Sequence, residues 1–130
     1  MIKGRALDHI GLAVTDVEVA AKWYQDTLGL KEFGKFMGGH GTYTYFLKND
    51  NGVIYEIYQR DDLEKGAQGK VDHIAFVSND IQADYDYCVA QGYKICTEGI
   101  EEISNRWEKG CKYFKIKSPT GEEVEYSQVL

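Results

Sequence analysis

The sequence predicts an α+β fold in which one βαβββ module occurs twice in tandem. Two stretches of the first half recur in the same order in the second half, and each half places one segment with helical spacing of apolar residues among segments with strand character. With 130 residues, 43% of them hydrophobic, the chain is long enough to bury a core. We therefore expect a single domain, residues 1–130, made of two modules at about 5–62 and 69–130.

Two separate matches define the repeat. The segment LDHIGLAVTDV at 7–17 recurs as VDHIAFVSNDI at 71–81, and GVIYEIYQ at 52–59 pairs with GEEVEYSQ at 121–128. The first match is offset by 64 residues and the second by 69, so the second half contains five extra residues. We assign them to a longer loop at about 98–110.

Each half begins with a strand that is followed by a helix. Residues 6–14 and 70–78 are rich in β-branched and apolar side chains, which is typical of strands. Asp16 and Asp80 then stand where the N-cap of a helix is expected, and apolar residues follow both at helical spacing. Glycines predict where the two helices stop, namely at Gly29 and Gly92.

Three shorter strands should follow each helix. Turn residues, NDNG in the first half and SPTG in the second, separate the last two of these strands. The predicted strands lie at about 32–37, 42–48 and 53–60, and then at about 93–97, 111–117 and 122–129.

Strand parity separates two histidines from the core. Side chains alternate between the faces of a strand, so His9 shares a face with Gly11 and Ala13, while the apolar residues between them cover the helix. In the second half, His73 and Ala75 likewise face away from the helix. A histidine beside very small residues has open space next to it, which suits a binding site better than a packed core.

Two glutamates stand at equivalent places in the repeat. Glu56 lies inside the segment IYEIY, and a carboxylate with apolar neighbours on both sides is costly to bury unless it is paired or binds a cation. Glu125, in the less apolar segment EVEYS, needs a partner less urgently. If the two halves face each other by pseudo-twofold symmetry, one His and one Glu from each half form an N₂O₂ donor set of His9, Glu56, His73 and Glu125.

This predicted donor set suits Zn²⁺, Ni²⁺, Co²⁺, Fe²⁺ or Mn²⁺ rather than Ca²⁺ or Mg²⁺, so we expect one divalent transition metal per site. The ion would be a Lewis acid, and a carboxylate at its edge could act as a base that removes a proton next to a carbonyl. His40 has no counterpart in the repeat and is not counted as a ligand. The competing interpretation is that duplication preserved a structural His and Glu pair.

Composition narrows the function classes. The net charge of −6, with acidic and basic residues interspersed, argues against nucleic acid as a partner. No apolar run approaches the roughly 18 residues that would span a bilayer, and the N-terminus lacks the apolar segment of a secretory signal. Three cysteines without CxxC spacing indicate reduced thiols. We expect a cytoplasmic protein that acts on a small molecule.

In its motifs the chain resembles the vicinal-oxygen-chelate superfamily, which includes glyoxalase I, methylmalonyl-CoA epimerase, fosfomycin-resistance proteins and extradiol dioxygenases. The motifs are LDHIGLAV at 7–14, WYQDTLGL at 23–30, DHIAF at 72–76, and SPTG at 118–121 leading to Glu125. The resemblance covers nearly the whole chain. It implies a half-open mixed barrel around a metal cleft and a homodimer, with each site either within one chain or shared between two.

The order of the four candidate ligands resembles that of small bacterial glyoxalase I, or lactoylglutathione lyase, which uses His, Glu, His and Glu. The resemblance implies a metal-dependent lyase or isomerase that moves a proton next to a carbonyl on a small 2-oxo thiol adduct. Glu125 is then the first candidate for the catalytic base and Glu56 the second. The alternatives are a methylmalonyl-CoA epimerase-like enzyme, a family that usually has Gln at the place of Glu56, and a non-catalytic binding protein of the bleomycin-resistance type.

The chain differs from glyoxalase I at two positions that bear on which thiol its substrate would contain. Glyoxalase I carries an Arg four residues after its first metal ligand, where this chain has Ala13, and an Asn four residues after its first Glu ligand, where this chain has Arg60. The missing Arg argues against glutathione, because that Arg holds a glutathione carboxylate. Arg60 is the candidate substrate-binding residue that would replace it.

Overall fold

The computed structural model describes residues 9–38, 41–63, 71–105 and 107–130. The chain divides into two compact units, Met1–Lys65 and Gly66–Leu130. Each unit contains one helix and one mixed sheet, so the predicted α+β class is confirmed. That the two modules form one domain around a cleft stays a prediction.

The first unit has the predicted βαβββ order. Its elements are β1 (Ile10–Val14), α1 (Val17–Leu28), β2 (Lys31–Met37), β3 (Tyr43–Lys48) and β4 (Ile54–Gln59). The strands form a sheet in the order β1-β4-β3-β2, in which β1 runs parallel to β4 and the other pairs are antiparallel. The last strand of the module therefore pairs with its first.

Local chemistry explains where α1 begins and ends. The side chain of Asp16 accepts a hydrogen bond from the backbone N–H of Val19 at 3.1 Å, which confirms the predicted N-cap. At the other end, Gly29 takes the left-handed conformation (φ 66°), which costs a residue with a Cβ more than it costs glycine. The apolar stripe of α1 packs on β3 and β4. The buried residues of the first unit include Val14, Val17, Ala20, Ala21, Tyr24, Leu30, Tyr45, Leu47, Tyr55 and Ile57.

The second unit repeats this plan with one additional strand. Its elements are β5 (His73–Val77), α2 (Ile81–Ala90), β6 (Lys94–Ile95), β7 (Glu101–Ile103), β8 (Cys111–Lys117) and β9 (Glu123–Val129). The sheet has the order β5-β9-β8-β6, with β7 also paired to β8, and β5 runs parallel to β9. Asp80 caps α2 by accepting from the N–H of Ala83 at 3.0 Å, and Gly92 is left-handed (φ 72°) just after the helix.

A glutamine at the end of the last long strand joins that strand to the helix in both units. The Oε1 of Gln59 accepts from the N–H of Val17 at 3.2 Å, and the Oε1 of Gln128 accepts from the N–H of Ile81 at 2.9 Å. Each amide satisfies one of the backbone donors that a helix leaves free in its first turn. The two glutamines are equivalent in the sequence repeat, so this contact is duplicated with the module.

The loop predicted at about 98–110 is partly a strand, and this prediction was wrong. The segment β7 pairs with β8, whereas the strand predicted at 93–97 is only the two residues of β6. Between them, the hydroxyl of Thr97 accepts from the backbone N–H of Lys115 at 3.1 Å, in place of a backbone carbonyl. The extra residues are thus an insertion into an edge strand, which the polar sequence of β7 did not reveal.

Some predictions fall on residues that the structure does not describe. They are positions 6–8 of the first predicted strand, position 70 of the strand that opens the second module, and His40. Within the described ranges, neither helix has the length and apolar character needed to cross a membrane.

Two buried tyrosines of the first sheet differ in whether their hydroxyl groups form a hydrogen bond. Tyr55 is fully buried, and its hydroxyl has no hydrogen-bond partner among the residues that the structure describes. This burial raises the pKa of Tyr55. Tyr45 is only 5% exposed, but its hydroxyl donates to Glu18 Oε2 at 2.7 Å.

We expect the two hydroxyls to contribute oppositely to stability. Tyr55→Phe should leave the free energy of unfolding unchanged or raise it by about 1 kcal/mol, because it removes a buried polar group. Tyr45→Phe should lower it by about 1 kcal/mol, because it removes a hydrogen bond. Urea denaturation of both variants measures the two effects. An equal loss in both variants would contradict the assignment.

Candidate metal centre

The first His–Glu pair lies where the two parallel strands of the first sheet meet. His9 immediately precedes β1, and Glu56 lies within β4, opposite Gly11 in the register. Nε2 of His9 is 3.0 Å from Oε2 of Glu56, and the two side chains are 34% and 30% exposed. A Cβ at Gly11 would be 3.8 Å from the same Glu56 oxygen, so the small residue keeps the space beside the pair open.

The second unit contains the same construction. His73 is the first residue of β5, Glu125 lies in β9, and Ala75 is opposite Glu125 in the register. Nε2 of His73 is 3.3 Å from Oε2 of Glu125, and the side chains are 35% and 14% exposed. In both units a His therefore stands two residues before a small residue that faces a Glu across a parallel strand pair.

The two glutamates differ in burial. Glu125 is 14% exposed and Glu56 is 30% exposed, and each has the histidine of its own unit as a partner. Tyr55 and Ile57, the apolar neighbours of Glu56, point to the helix side of the sheet, and Glu56 points to the other side. Glu125 has Lys115, itself only 17% exposed, directly opposite in the register.

The separation within each pair fits two ligands of one transition-metal ion. An imidazole nitrogen and a carboxylate oxygen bind zinc at about 2.0–2.1 Å. Two such ligands are about 2.9 Å apart at a right angle and about 3.3 Å apart at the tetrahedral angle. The observed separations of 3.0 and 3.3 Å fall in this range. Each His–Glu pair therefore has the spacing of two ligands of a divalent metal ion.

The structure brings the four predicted ligands together as two pairs, and their convergence on one ion stays a prediction. In the four described ranges of the chain, no three His, Cys, Asp or Glu side chains form a group that could hold a metal. Because a protein metal site generally needs at least three ligands from side chains, each pair must be completed by further donors.

Two charged residues in contact with His73 were missed by the sequence reasoning. Oδ2 of Asp72 is 2.8 Å from Nδ1 of His73, and Nζ of Lys115 is 3.3 Å from the same nitrogen. Hydrogen bonds from His73 and then from Lys115 lower the pKa of the Asp72 carboxyl. Lys115 also lies 3.3 Å from Oε2 of Glu123. A signal was available, because an Asp immediately precedes the His in both copies of the repeat, as Asp8 and Asp72.

In the first unit the surroundings of the pair are aromatic. Phe46 is opposite Glu56 across β3 and β4, and its ring meets the His9 imidazole edge-on at a centroid distance of 5.8 Å. The exposed rings of Phe33 and Phe36 pack edge-on against Phe46 at 6.0 Å each. The two His–Glu pairs thus share a backbone arrangement but differ in the side chains around them.

The candidate substrate-binding residue Arg60 lies just after β4 and already has an anionic partner. Its Nε donates to Oδ1 of Asp62 at 2.9 Å and its Nη2 donates to Oδ2 at 2.5 Å. These hydrogen bonds raise the pKa of the Arg60 guanidinium. A substrate anion would have to compete with Asp62, so the role of Arg60 stays a prediction.

A duplicated module with a His and a Glu on paired parallel strands of each copy is the arrangement expected of a vicinal-oxygen-chelate protein. The family model for the Glyoxalase/Bleomycin resistance protein/Dioxygenase superfamily matches residues 8–114, and the chain belongs to this superfamily. The resemblance seen in the sequence motifs is thereby confirmed. Members of the superfamily commonly bind a divalent metal and small molecules, and they often form dimers.

Individual relatives agree with this assignment. The chain is 32% identical over 127 residues to the uncharacterized protein YwbC of Bacillus subtilis, which covers 95% of this chain and 98% of the relative. It is 30% identical over 132 residues to an ethylmalonyl-CoA/methylmalonyl-CoA epimerase of Cereibacter sphaeroides, with 95% and 97% covered. A glyoxalase family protein from Enterococcus faecalis has the same fold, with a TM-score of 0.78 at 16% identity over 95% and 97% of the two chains.

The open space at Gly11 leads to a prediction about the first pair. Gly11→Ala should be tolerated, because its Cβ would make only ordinary contacts with Glu56 and Tyr58. Gly11→Phe should fill the space beside the carboxylate and weaken Co²⁺ binding, measured by titration, by about tenfold or more. Equal Co²⁺ affinity of the Phe and Ala variants would show that the space is not needed for a metal.

Proposed function

We propose that the protein is a metal-dependent lyase or isomerase of the glyoxalase I type, which moves a proton next to a carbonyl on a small 2-oxo thiol adduct. The observation that carries the proposal is the repeated His–Glu pair, with nitrogen and oxygen 3.0 Å apart in one unit and 3.3 Å apart in the other. One pair from each copy of the module would supply two imidazoles and two carboxylates, a donor set that suits a divalent transition metal.

The four residues that would hold one divalent transition metal (Ni, Zn, Co, Mn or Fe) are His9, Glu56, His73 and Glu125. When bound, such an ion stabilises negative charge on substrate oxygens as a Lewis acid. The protein's own part in the reaction is the proton transfer. A carboxylate oxygen of Glu125 accepts the proton from the hydroxyl-bearing substrate carbon and returns it to the neighbouring carbonyl carbon. The hydroxyl proton passes from the oxygen of the first carbon to the oxygen of the second, so that the 2-oxo hemithioacetal becomes a 2-hydroxy thioester with no net loss or gain of atoms.

Two features support Glu125 as the first choice for this base and Glu56 as the second. Glu125 is the less exposed carboxylate, at 14% against 30%, and proton transfer is more efficient where water is excluded. Both carboxylates lie beside a small residue in the register, which leaves room for a substrate carbon.

The thiol carrier is proposed to be something other than glutathione. Glyoxalase I has at one position an Arg that holds a carboxylate of glutathione. The matching position in this chain is Ala13, which carries no charge. The nearby cation Arg60 is held in two hydrogen bonds by Asp62. A neutral or differently charged thiol therefore fits this chain better than the carboxylates of glutathione.

Metal analysis and two variants test the proposal. We expect the purified protein to bind about one Ni, Zn, Co or Mn per site, and Glu56→Gln and Glu125→Gln each to lose turnover by roughly 100-fold or more, since both a ligand and a base candidate are removed. Assays on hemithioacetals of several thiols measure the turnover. Glu102→Gln, at an exposed position of β7, is the matched control and should retain full activity.

A protein that binds metal but is inactive on hemithioacetals of every common thiol would overturn the glyoxalase assignment. A metal-free protein that stays folded and binds an aromatic compound without converting it would favour a binding protein of the bleomycin-resistance type instead.

An epimerase acting on a CoA thioester is the second candidate. It is favoured by the 30% identity to the ethylmalonyl-CoA/methylmalonyl-CoA epimerase over 95% of this chain. The chemistry is closely related, because a carboxylate again removes a proton next to a carbonyl. Deuterium incorporation from D₂O into a 2-methyl-branched acyl-CoA, without activity on hemithioacetals, would select the epimerase. The reverse pattern would select the lyase.

The protein is also proposed to be a homodimer. Several large apolar side chains are exposed on β2, which is an edge strand of the first sheet: Phe33 (49%), Phe36 (61%) and Met37 (61%). Covering such side chains with a second copy would remove apolar surface from water. Light scattering after size exclusion should give twice the monomer mass of 14.8 kDa. A monomer at all concentrations would contradict this.

A further inference from the structure

We infer that Asp72 and Lys115 are positioning residues that fix the His73 imidazole with Nδ1 protonated and Nε2 directed at Glu125. This inference rests on the proposed function, since it concerns how one of the proposed metal ligands is prepared. It adds two residues, one immediately before β5 and one in β8, that neither the repeat nor the ligand order assigns to the site.

The contact between Asp72 and His73 determines which ring nitrogen carries the proton. An ionised carboxylate can only accept a hydrogen bond, so at 2.8 Å from Oδ2 the Nδ1 atom must be the donor. In the neutral ring, Nε2 then has a free lone pair. That lone pair lies 3.3 Å from Oε2 of Glu125, which is also an acceptor. A proton or a metal ion between these two atoms satisfies both, and a free lone pair on Nε2 is the state that a metal ligand requires.

Lys115 holds the Asp72 carboxylate in place. Its Nζ is 3.4 Å from Oδ2 of Asp72 and 3.3 Å from Oε2 of Glu123, so it joins a carboxylate next to β5 to one on β9. The Lys115 side chain is 17% exposed and that of Glu123 is 12% exposed, whereas that of Asp72 is 50% exposed. A half-exposed carboxylate would otherwise be free to turn to water, and the less exposed ammonium group restrains it.

The partners of Lys115 also argue against a direct role in binding substrate. Its ammonium group lies between two carboxylates, with Nζ 3.4 Å from Oδ2 of Asp72 and 3.3 Å from Oε2 of Glu123. Nδ1 of His73 donates to Asp72 and does not accept from Lys115, so the charge of Lys115 is balanced by these two carboxylates and not by a substrate anion. The residue therefore acts through His73 and is not a catalytic residue.

The sequence repeat gives an internal comparison for Lys115. Applying the 69-residue offset of the second match places Phe46 at the equivalent position, and in the registers Phe46 is opposite Glu56 as Lys115 is opposite Glu125. Both side chains contact the histidine of their own unit, Phe46 with its ring and Lys115 with its charge. The equivalent position thus makes an aromatic contact with the histidine in one unit and an ionic contact in the other.

Nitrogen-15 NMR of the metal-free protein tests the inference directly. Long-range spectra of the histidine side chains, at a pH where the rings are neutral, should show His73 with Nδ1 protonated. Asp72→Ala and Lys115→Phe, the second introducing the residue of the first unit, should move His73 toward the Nε2-protonated tautomer. Asp72→Asn should keep the original tautomer, because the amide oxygen still accepts from Nδ1.

Metal titration gives the second measurement. Affinity for Co²⁺ or Zn²⁺ should fall by about 10-fold to 100-fold in Asp72→Ala and Lys115→Phe, the range known for partners that orient metal-binding histidines. Asp86→Ala, which changes an exposed aspartate that pairs with Gln82 on α2, is the matched control. Thermal unfolding of every variant shows that it is folded, and Lys115→Met replaces Lys115→Phe if the latter is not.

The outcomes separate the inference from the proposed function. An unchanged His73 tautomer in Asp72→Ala, with unchanged metal affinity, would overturn the inference and leave the metal centre intact. Failure of the unaltered protein to bind any transition metal would overturn the proposed function, while the tautomer measurement would still decide whether Asp72 and Lys115 orient the ring.

Discussion

The parallel pairing of the first and last strands of each module is the constraint on which the candidate site depends. The register of β1 on β4 and of β5 on β9 places each Glu opposite a small residue that follows the His by two positions. Because side chains alternate with a period of two, a slip of one residue would turn every Glu to the opposite face. The glutamines Gln59 and Gln128, which bond the start of each helix, help to hold this register.

Duplication preserved this backbone arrangement while the surrounding side chains diverged. Around His9 the environment is apolar and aromatic, with Phe46 at its centre. Around His73 the environment is ionic, because Lys115 stands at the position equivalent to Phe46 and forms ion pairs with the carboxylates of Asp72 and Glu123. The two modules therefore present equivalent His–Glu pairs in unlike surroundings.

Membership of the superfamily determines the fold but does not identify the reaction, which must be inferred from the residues of the candidate site. The relatives at about 30% identity include a protein without an assigned activity and an epimerase, so identity alone does not select a substrate. The proposed proton-transfer chemistry follows from a carboxylate next to an imidazole that we propose to be a metal ligand, and it is common to a lyase and an epimerase. A lyase and an epimerase differ in the part of the substrate that lies away from the reacting carbons. Ala13 and Arg60 are the positions that we propose to bear on which substrate binds.

The repeat in the sequence was sufficient to determine the module order, the caps at Asp16 and Asp80 and the candidate ligands, because hydrophobic period and capping chemistry act over a few neighbouring residues. The insertion that forms β7, the greater burial of Glu125 and the contacts of Lys115 with Asp72 and His73 were decided only by tertiary structure. Each of these depends on which strand lies beside which; Lys115 and Asp72, for example, are 43 residues apart in the sequence. Local sequence cannot encode such pairings, since they arise only when distant strands come together in one sheet.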